Sequence, residues 1–134
     1  MKAWFPIAAA VMAAAAASAT AQTAGPPTFT ADQATQGTGL YKANCASCHG
    51  DNLNDGQFAP ALKGATFSEN WGGHKVDELY TRITTTMPPD QAGVMKPEEY
   101  AAVVAMLLQA NGAAPNGAAL PADSAQLAAM TIAK

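Results

Sequence analysis

The sequence predicts an all-α domain with long loops. Three observations lead there. Apolar residues recur at helical spacing in two segments, residues that favour helix starts stand before them, and nothing in the chain alternates with the period of a strand. No internal repeat divides the 134 residues.

The first helix opens at "TADQ", where Thr30 as N-cap and Gln33 three residues on have the form of a capping box, and it runs to about residue 44. Gly37 and Gly39 weaken it, each by about 1 kcal/mol against alanine. Gly37, Tyr41 and Cys45 nevertheless fall at i, i+4 and i+8 on one face, where a glycine would admit the close approach of another helix. Residues 50–73 show no sustained period and many turn formers, which reads as loop with room for a short helical turn. So long an irregular stretch needs something to pack around.

Helical period returns in "VDELYTRI", with Val76, Leu79, Tyr80 and Ile83 on one stripe and Asp77 and Glu78 suited to the first turn. The clearest helix follows. Pro97 suits its first position, Glu98 and Glu99 favour its positive end, and Tyr100, Val103, Val104, Leu107 and Leu108 trace an apolar stripe. Asn111 and Gly112 end it. Asp123 and Gln126 cap a last short helix that carries Leu127 and Met130.

The N-terminus has a different character. Lys2, the apolar run "IAAAVMAAAAA" (7–17) and the small-x-small "ATA" (19–21) have the form of a secretory signal peptide cleaved near Ala21/Gln22. An apolar run of about 11 residues falls short of the roughly 20 that span a bilayer, so no stable membrane insertion is expected after cleavage. Export to an oxidising space such as a bacterial periplasm follows. The organisation is then a signal peptide (1–21), a flexible Pro/Gly/Thr-rich lead-in (22–30), a helical domain (31–112), and a loop with a short helix packing on it (113–134).

Removing residues 1–21 of 134 leaves 113, one small domain with a modest core. Small exported domains usually compensate with several disulfides or a bound cofactor. This chain has only two cysteines, three apart, and a bridge between them would close a tiny loop and stabilise little. A cofactor is the better expectation. The formal charge of −3, or −4 once Lys2 is removed, comes with no basic run, which argues against nucleic acid binding.

The chemistry-bearing stretch is "NCASCHG" (44–50). Three chemistries use a CxxC pair: a redox disulfide, half of a zinc site, and covalent haem attachment, which alone wants histidine directly after the second cysteine. A thioredoxin-like pair expects alternating strands and helices, and these are missing. Zinc wants about four ligands, whereas only Cys45, Cys48, His49 and His74 offer themselves, two of them awkwardly adjacent. Haem accounts for all three motif residues: thioethers from Cys45 and Cys48, and His49 positioned to ligate the iron from one face.

Around this motif the chain resembles the class I c-type cytochromes, small all-α electron carriers with long loops wrapped around one covalently bound haem. The resemblance covers residues 31–112 and follows the order of elements: N-terminal helix, "CASCH", a loop with "APALKG", a middle helix, an "MP" loop and a C-terminal helix. The run "WGGHKVDELYTRITTTMPPDQAG" with "EEYAAVVAMLLQANG" is similar to cytochromes that work with periplasmic quinoprotein dehydrogenases. In two places the chain departs from the pattern. Where the family packs an aromatic of the last helix on the glycine and aromatic of the first, matched by Gly37 and Tyr41, this chain has Met106; and Lys96 is a poorer N-cap than Ser or Thr.

On chemistry alone, His74, Met87, Met95, Met106 and Met130 are candidate sixth ligands of the iron. Met106 belongs to the C-terminal helix and Met130 to the tail, while Pro88 pushes Met87 into extended geometry. The family's ligand methionine sits in such an "MP" context, so the resemblance implies Met87. It makes Met95 a packing residue, and His74 reads as an exposed loop histidine. The resemblance also implies that the Pro60 carbonyl meets the other imidazole nitrogen of His49, while Trp71 and Arg82 are candidates for the haem propionates.

What the resemblance implies for function is single-electron transfer and not enzymatic turnover. A thioether ligand favours ferrous iron relative to a second imidazole, and two strong axial ligands leave no open position for an organic substrate. The expected partners are a dehydrogenase, possibly a quinoprotein, as donor and a downstream cytochrome or terminal oxidase as acceptor. The alternative is a haem enzyme or a gas or peroxide sensor in which Met87 is displaced. Four-helix gas-binding cytochromes carry CxxCH near the C-terminus, whereas here it follows the first helix.

Overall fold

A computed structural model describes residues 1, 2 and 24–134. The apolar run of the signal peptide and its cleavage site lie outside the described residues. Six helices follow in order: α1 (Ala31–Asn44), α2 (Ala46–His49), α3 (Ala65–Trp71), α4 (Val76–Thr86), α5 (Pro97–Ala110) and α6 (Ser124–Leu127). Two isolated bridges, Gly25 with Met130 and Lys75 with Thr131, are the extended pairings among the described residues, and no strand forms.

The centre of the molecule is the packing of α1 on α5. α1 turns Ala34, Gly37 and Tyr41 inward. A Cβ at Gly37 would run into the Ala102 carbonyl, 2.6 Å from its carbon, and stand 2.9 Å from the Met106 Cβ. The helices therefore touch backbone to backbone, and the glycine that weakens α1 locally is what lets α5 approach. Met106, in place of an aromatic, packs into this crossing and is buried.

α5 is buried more completely than one apolar stripe implies: every residue from Ala101 to Leu108 is inaccessible. The alanines at 101, 102 and 105 are short enough for neighbours to close over faces that a stripe would leave to solvent. Its start is half a capping box. Glu99 accepts from the Lys96 N–H at 2.8 Å, but the Lys96 side chain has no acceptor to return the bond.

The tail and lead-in complete the core. Leu120, Leu127 and Ile132 are buried beside Phe29, and Asp123 caps α6 by accepting from the Gln126 N–H. At α1 the expected reciprocal box is only half formed: Thr30 accepts from the Gln33 N–H, but the Gln33 amide pairs both ways with the Leu120 backbone, at 2.8 and 2.9 Å. A primary amide matches a peptide group donor for acceptor, so the tail claims it. The lead-in, expected to be mobile, is held over residues 25–29 by Gly25 N–H to Ala129 O, Thr131 N–H to Gly25 O and Asn116 N–H to Phe29 O. Phe29 is the physical reason, because a fully buried aromatic anchors the segment.

Gly37→Ala should destabilise the intact protein by about 1–3 kcal/mol, because α1 and α5 must separate to admit the methyl. Gly39→Ala, whose Cβ meets nothing within 4 Å, should instead stabilise by about 0.5–1 kcal/mol. Chemical denaturation of the two variants beside the parent checks both signs.

Candidate functional site

The CxxCH residues occupy one tight turn. Cys45 ends α1, donating its N–H to Tyr41 O at 2.8 Å, and its own carbonyl accepts from Cys48 N–H at 3.2 Å and His49 N–H at 3.0 Å. α2 thus begins at once, and side chains at 45, 48 and 49 share its surface. Both cysteines are free and half-buried. Burial, with Cys48 as the second cause, pushes the Cys45 thiol up to about 11. A redox or metal-binding cysteine works as thiolate, a form that this burial disfavours. Among the described residues no three His, Cys, Asp or Glu side chains gather as a metal-ion site.

His49 is buried and its Nδ1 stands 2.7 Å from the Pro60 carbonyl oxygen. A carbonyl only accepts, so Nδ1 carries the proton and Nε2 keeps its lone pair. Nε2 makes no hydrogen bond among the described residues. This donor set fits a metal macrocycle held covalently at one edge by two thiols and through its metal by one imidazole nitrogen.

The loop that delivers Pro60 is built onto α2. A Cβ at Gly56 would overlap Cys48 O and the His49 carbonyl carbon and lie 2.7 Å from Gly50 N, so only glycine lets the loop backbone lie against the turn. The Asp55 carboxylate accepts from Asn52 N–H and Asn52 Nδ2, which holds it below its ordinary range. Leu62 N–H closes the loop on Leu53 O at 2.6 Å. From below, Asn111 at the end of α5 donates to Leu62 O and accepts from Gly64 N–H, each at 3.0 Å. Tyr41 of α1 donates to Gly50 O at 2.6 Å.

Met87 belongs to a second assembly, at the junction of α4 with α5. It caps α4 in extended geometry, φ −127° and ψ 140°, as Pro88 requires, and is half-buried. Its carbonyl accepts from the Tyr100 hydroxyl at 2.9 Å. The other candidate ligands are engaged elsewhere: Met95 packs partly buried against the core, Met106 lies in α5, and Met130 in the tail takes a long contact from the Thr28 hydroxyl. His74 is half-exposed and paired at 2.8 Å with Glu78, whose carboxyl that contact holds below its usual range.

Trp71 is half-buried against the core, with His74 edge-on at 6.0 Å between centroids, and Arg82 is exposed on α4. Sequence reasoning missed the work of Asn111 and of the Tyr100 hydroxyl. Asn111 read only as a helix terminator, and nothing in an apolar stripe distinguishes a tyrosine whose oxygen bonds from one that merely packs. A cavity of about 700 Å³ between the lead-in, α3, the end of α5 and the tail includes none of Cys45, Cys48, His49 or Met87 in its walls. Among the described residues no helix is long and apolar enough to cross a membrane.

Residues 32–107 match the protein family described as cytochrome C oxidase, cbb3-type, subunit III. No curated protein and no solved structure matches.

Burial pushes the Tyr41 phenol from 10.0 up to about 12, with the Cys45 charge the next cause and Asp55 and Asp51 after it. A raised folded pKa means that its contribution to stability is complete below pH 10.0 and is lost as pH rises towards about 12. The stability difference between parent and Tyr41→Phe should therefore be constant below pH 10.0 and shrink above it. Denaturation midpoints from pH 7 to about 11 check this.

Proposed function

From the premise that this chain belongs to the family it matches, and so to the class I c-type cytochromes, we propose that it is a periplasmic single-electron carrier with one haem c per chain. The family carries haem c covalently and transfers electrons through it. When bound, the haem supplies a one-electron ferric/ferrous couple.

The observation that carries the residue assignment is the turn on which two free thiols stand beside an imidazole whose Nδ1 is committed to Pro60 O. Cys45 and Cys48 would hold the haem edge covalently, each adding its S–H across a vinyl group, sulfur to one carbon and hydrogen to the other, with no oxidant needed. His49 Nε2 ligates the iron, and the Pro60 carbonyl fixes the ring and raises its basicity. Met87 would supply the second, thioether ligand. Its support is the extended geometry before Pro88 and the commitment of His74 to Glu78. Trp71 and Arg82 are assigned to the propionates; Arg82 is exposed, so it serves from the rim or not at all.

With His49 and Met87 both committed to the iron, the chain would leave no position there for an organic substrate and would act through protein partners. We assign the donor as a dehydrogenase, with a quinoprotein the first choice, and the acceptor as a downstream cytochrome or terminal oxidase. The matched family takes its description from an oxidase subunit, which is consistent with that acceptor. The signal peptide is removed near Ala21/Gln22 on export.

Absorption spectra of the protein made in a host that attaches haem test this reading. The parent should give a c-type spectrum with a weak near-infrared sulfur-to-iron band when oxidised. Met87→Ala should keep the covalent haem, lose that band, lower the potential and admit carbon monoxide, whereas His74→Ala should match the parent. A parent spectrum without the band, or a Met87→Ala protein closed to carbon monoxide, refutes the ligand set.

A further inference from the structure

The segment after Met87 has few ties to the rest of the molecule. The backbone hydrogen bonds of residues 88–95 are turns within it, Gln91 N–H to Pro88 O and Val94 N–H to Gln91 O, both 3.0 Å. One side chain reaches it from outside among the described residues. Tyr100, 2% exposed in the first turn of α5, accepts from Gly93 N–H at 2.9 Å and donates to Met87 O at 2.9 Å. A single hydroxyl thus joins both ends of the Met87 to Gly93 excursion and ties them to the most buried helix. Gly93 has φ +78°, a turn that glycine accepts without strain and that aims its N–H at the phenol.

The geometry points to Tyr100 as the positioning residue for the sixth ligand: its hydroxyl holds the Met87 backbone so that the thioether stays directed at the iron. The inference rests on Met87 being that ligand. Tyr100 does not touch the metal or the sulfur; it acts through the carbonyl of the ligand residue and the amide that closes the loop. Phenylalanine there would keep the ring and leave the carbonyl of half-buried Met87 and the amide of exposed Gly93 without the one side chain that joins them, so the loop would open more often. Tyr80 is the internal comparison. Its ring is also buried and its hydroxyl also bonds a backbone carbonyl, that of Pro97 at 3.2 Å, yet it makes no bond to residues 87–95.

The test uses the haem-loaded, full-length processed protein with Tyr100→Phe, Tyr80→Phe and Met87→Ala. Tyr100→Phe should retain covalent haem, weaken the near-infrared band of the oxidised form, lower the potential, and bind carbon monoxide in the ferrous form about tenfold or more faster than the parent, the order expected for losing the two part-buried hydrogen bonds of the hydroxyl. Tyr80→Phe should match the parent in all four. A Tyr100→Phe protein indistinguishable from the parent, or a Tyr80→Phe protein altered as much, overturns the assignment while leaving Met87 as ligand. A Met87→Ala protein that keeps the band removes the ligand reading and this inference together. Should Tyr100→Phe fail to fold, amide exchange decides: the Gly93 N–H should be protected in the parent and lose protection in Met87→Ala, and equal exchange in the two overturns the coupling.

Discussion

Everything in this molecule hangs from the backbone contact between α1 and α5. Gly37 has no side chain, so the Ala102 carbonyl can sit where a Cβ would be, and the two axes come closer than any larger residue allows. That contact fixes where α1 ends, and α1 ends at Cys45. It also fixes both ends of α5. Asn111, at one end, holds the loop that brings Pro60 to His49; Tyr100, near the other, holds the loop that starts at Met87. One glycine thus bears on the positions of both the Pro60 loop and the Met87 loop.

The site itself is arranged by carbonyl groups more than by charge. Pro60 O decides which nitrogen of His49 bears the proton, Gly50 O receives the Tyr41 hydroxyl, and Met87 O receives that of Tyr100. Each of these acceptors belongs to a loop and each donor to a helix. A loop carbonyl that no donor of its own segment reaches needs one from elsewhere, so a helix that offers a donor both pays that debt and fixes the loop. Burial in the same surroundings raises the pKa of the Cys45 thiol.

A domain of this size needs more than one helix pair to keep its core dry. The tail supplies the rest. It buries Leu120, Leu127 and Ile132, pairs with Gln33 at the start of α1, and runs beside the loop between α3 and α4 through Gly73 N–H to Ile132 O and Ile132 N–H to His74 O. Phe29 closes the opposite side. These segments look dispensable by composition, yet their apolar residues are spaced to reach the same core.

By itself the sequence determined the helical class, the extent of α1 and α5 and the start of α4, and it singled out Cys45, Cys48 and His49 as one chemistry-bearing group. All of these depend on short-range relations: apolar period, capping residues, and three side chains on one turn. It also singled out Gly37 correctly, because a glycine that costs a helix stability needs a partner to justify it. Only the tertiary structure decided that Gln33 serves the tail and not its own helix, that the lead-in is anchored, that Asn111 and the Tyr100 hydroxyl hold the two loops, and that α5 is buried all round. Those facts join residues as far apart as Gly25 and Thr131. No local pattern records which distant backbone group will be left wanting a partner, and that shortage is settled only when the chain has packed.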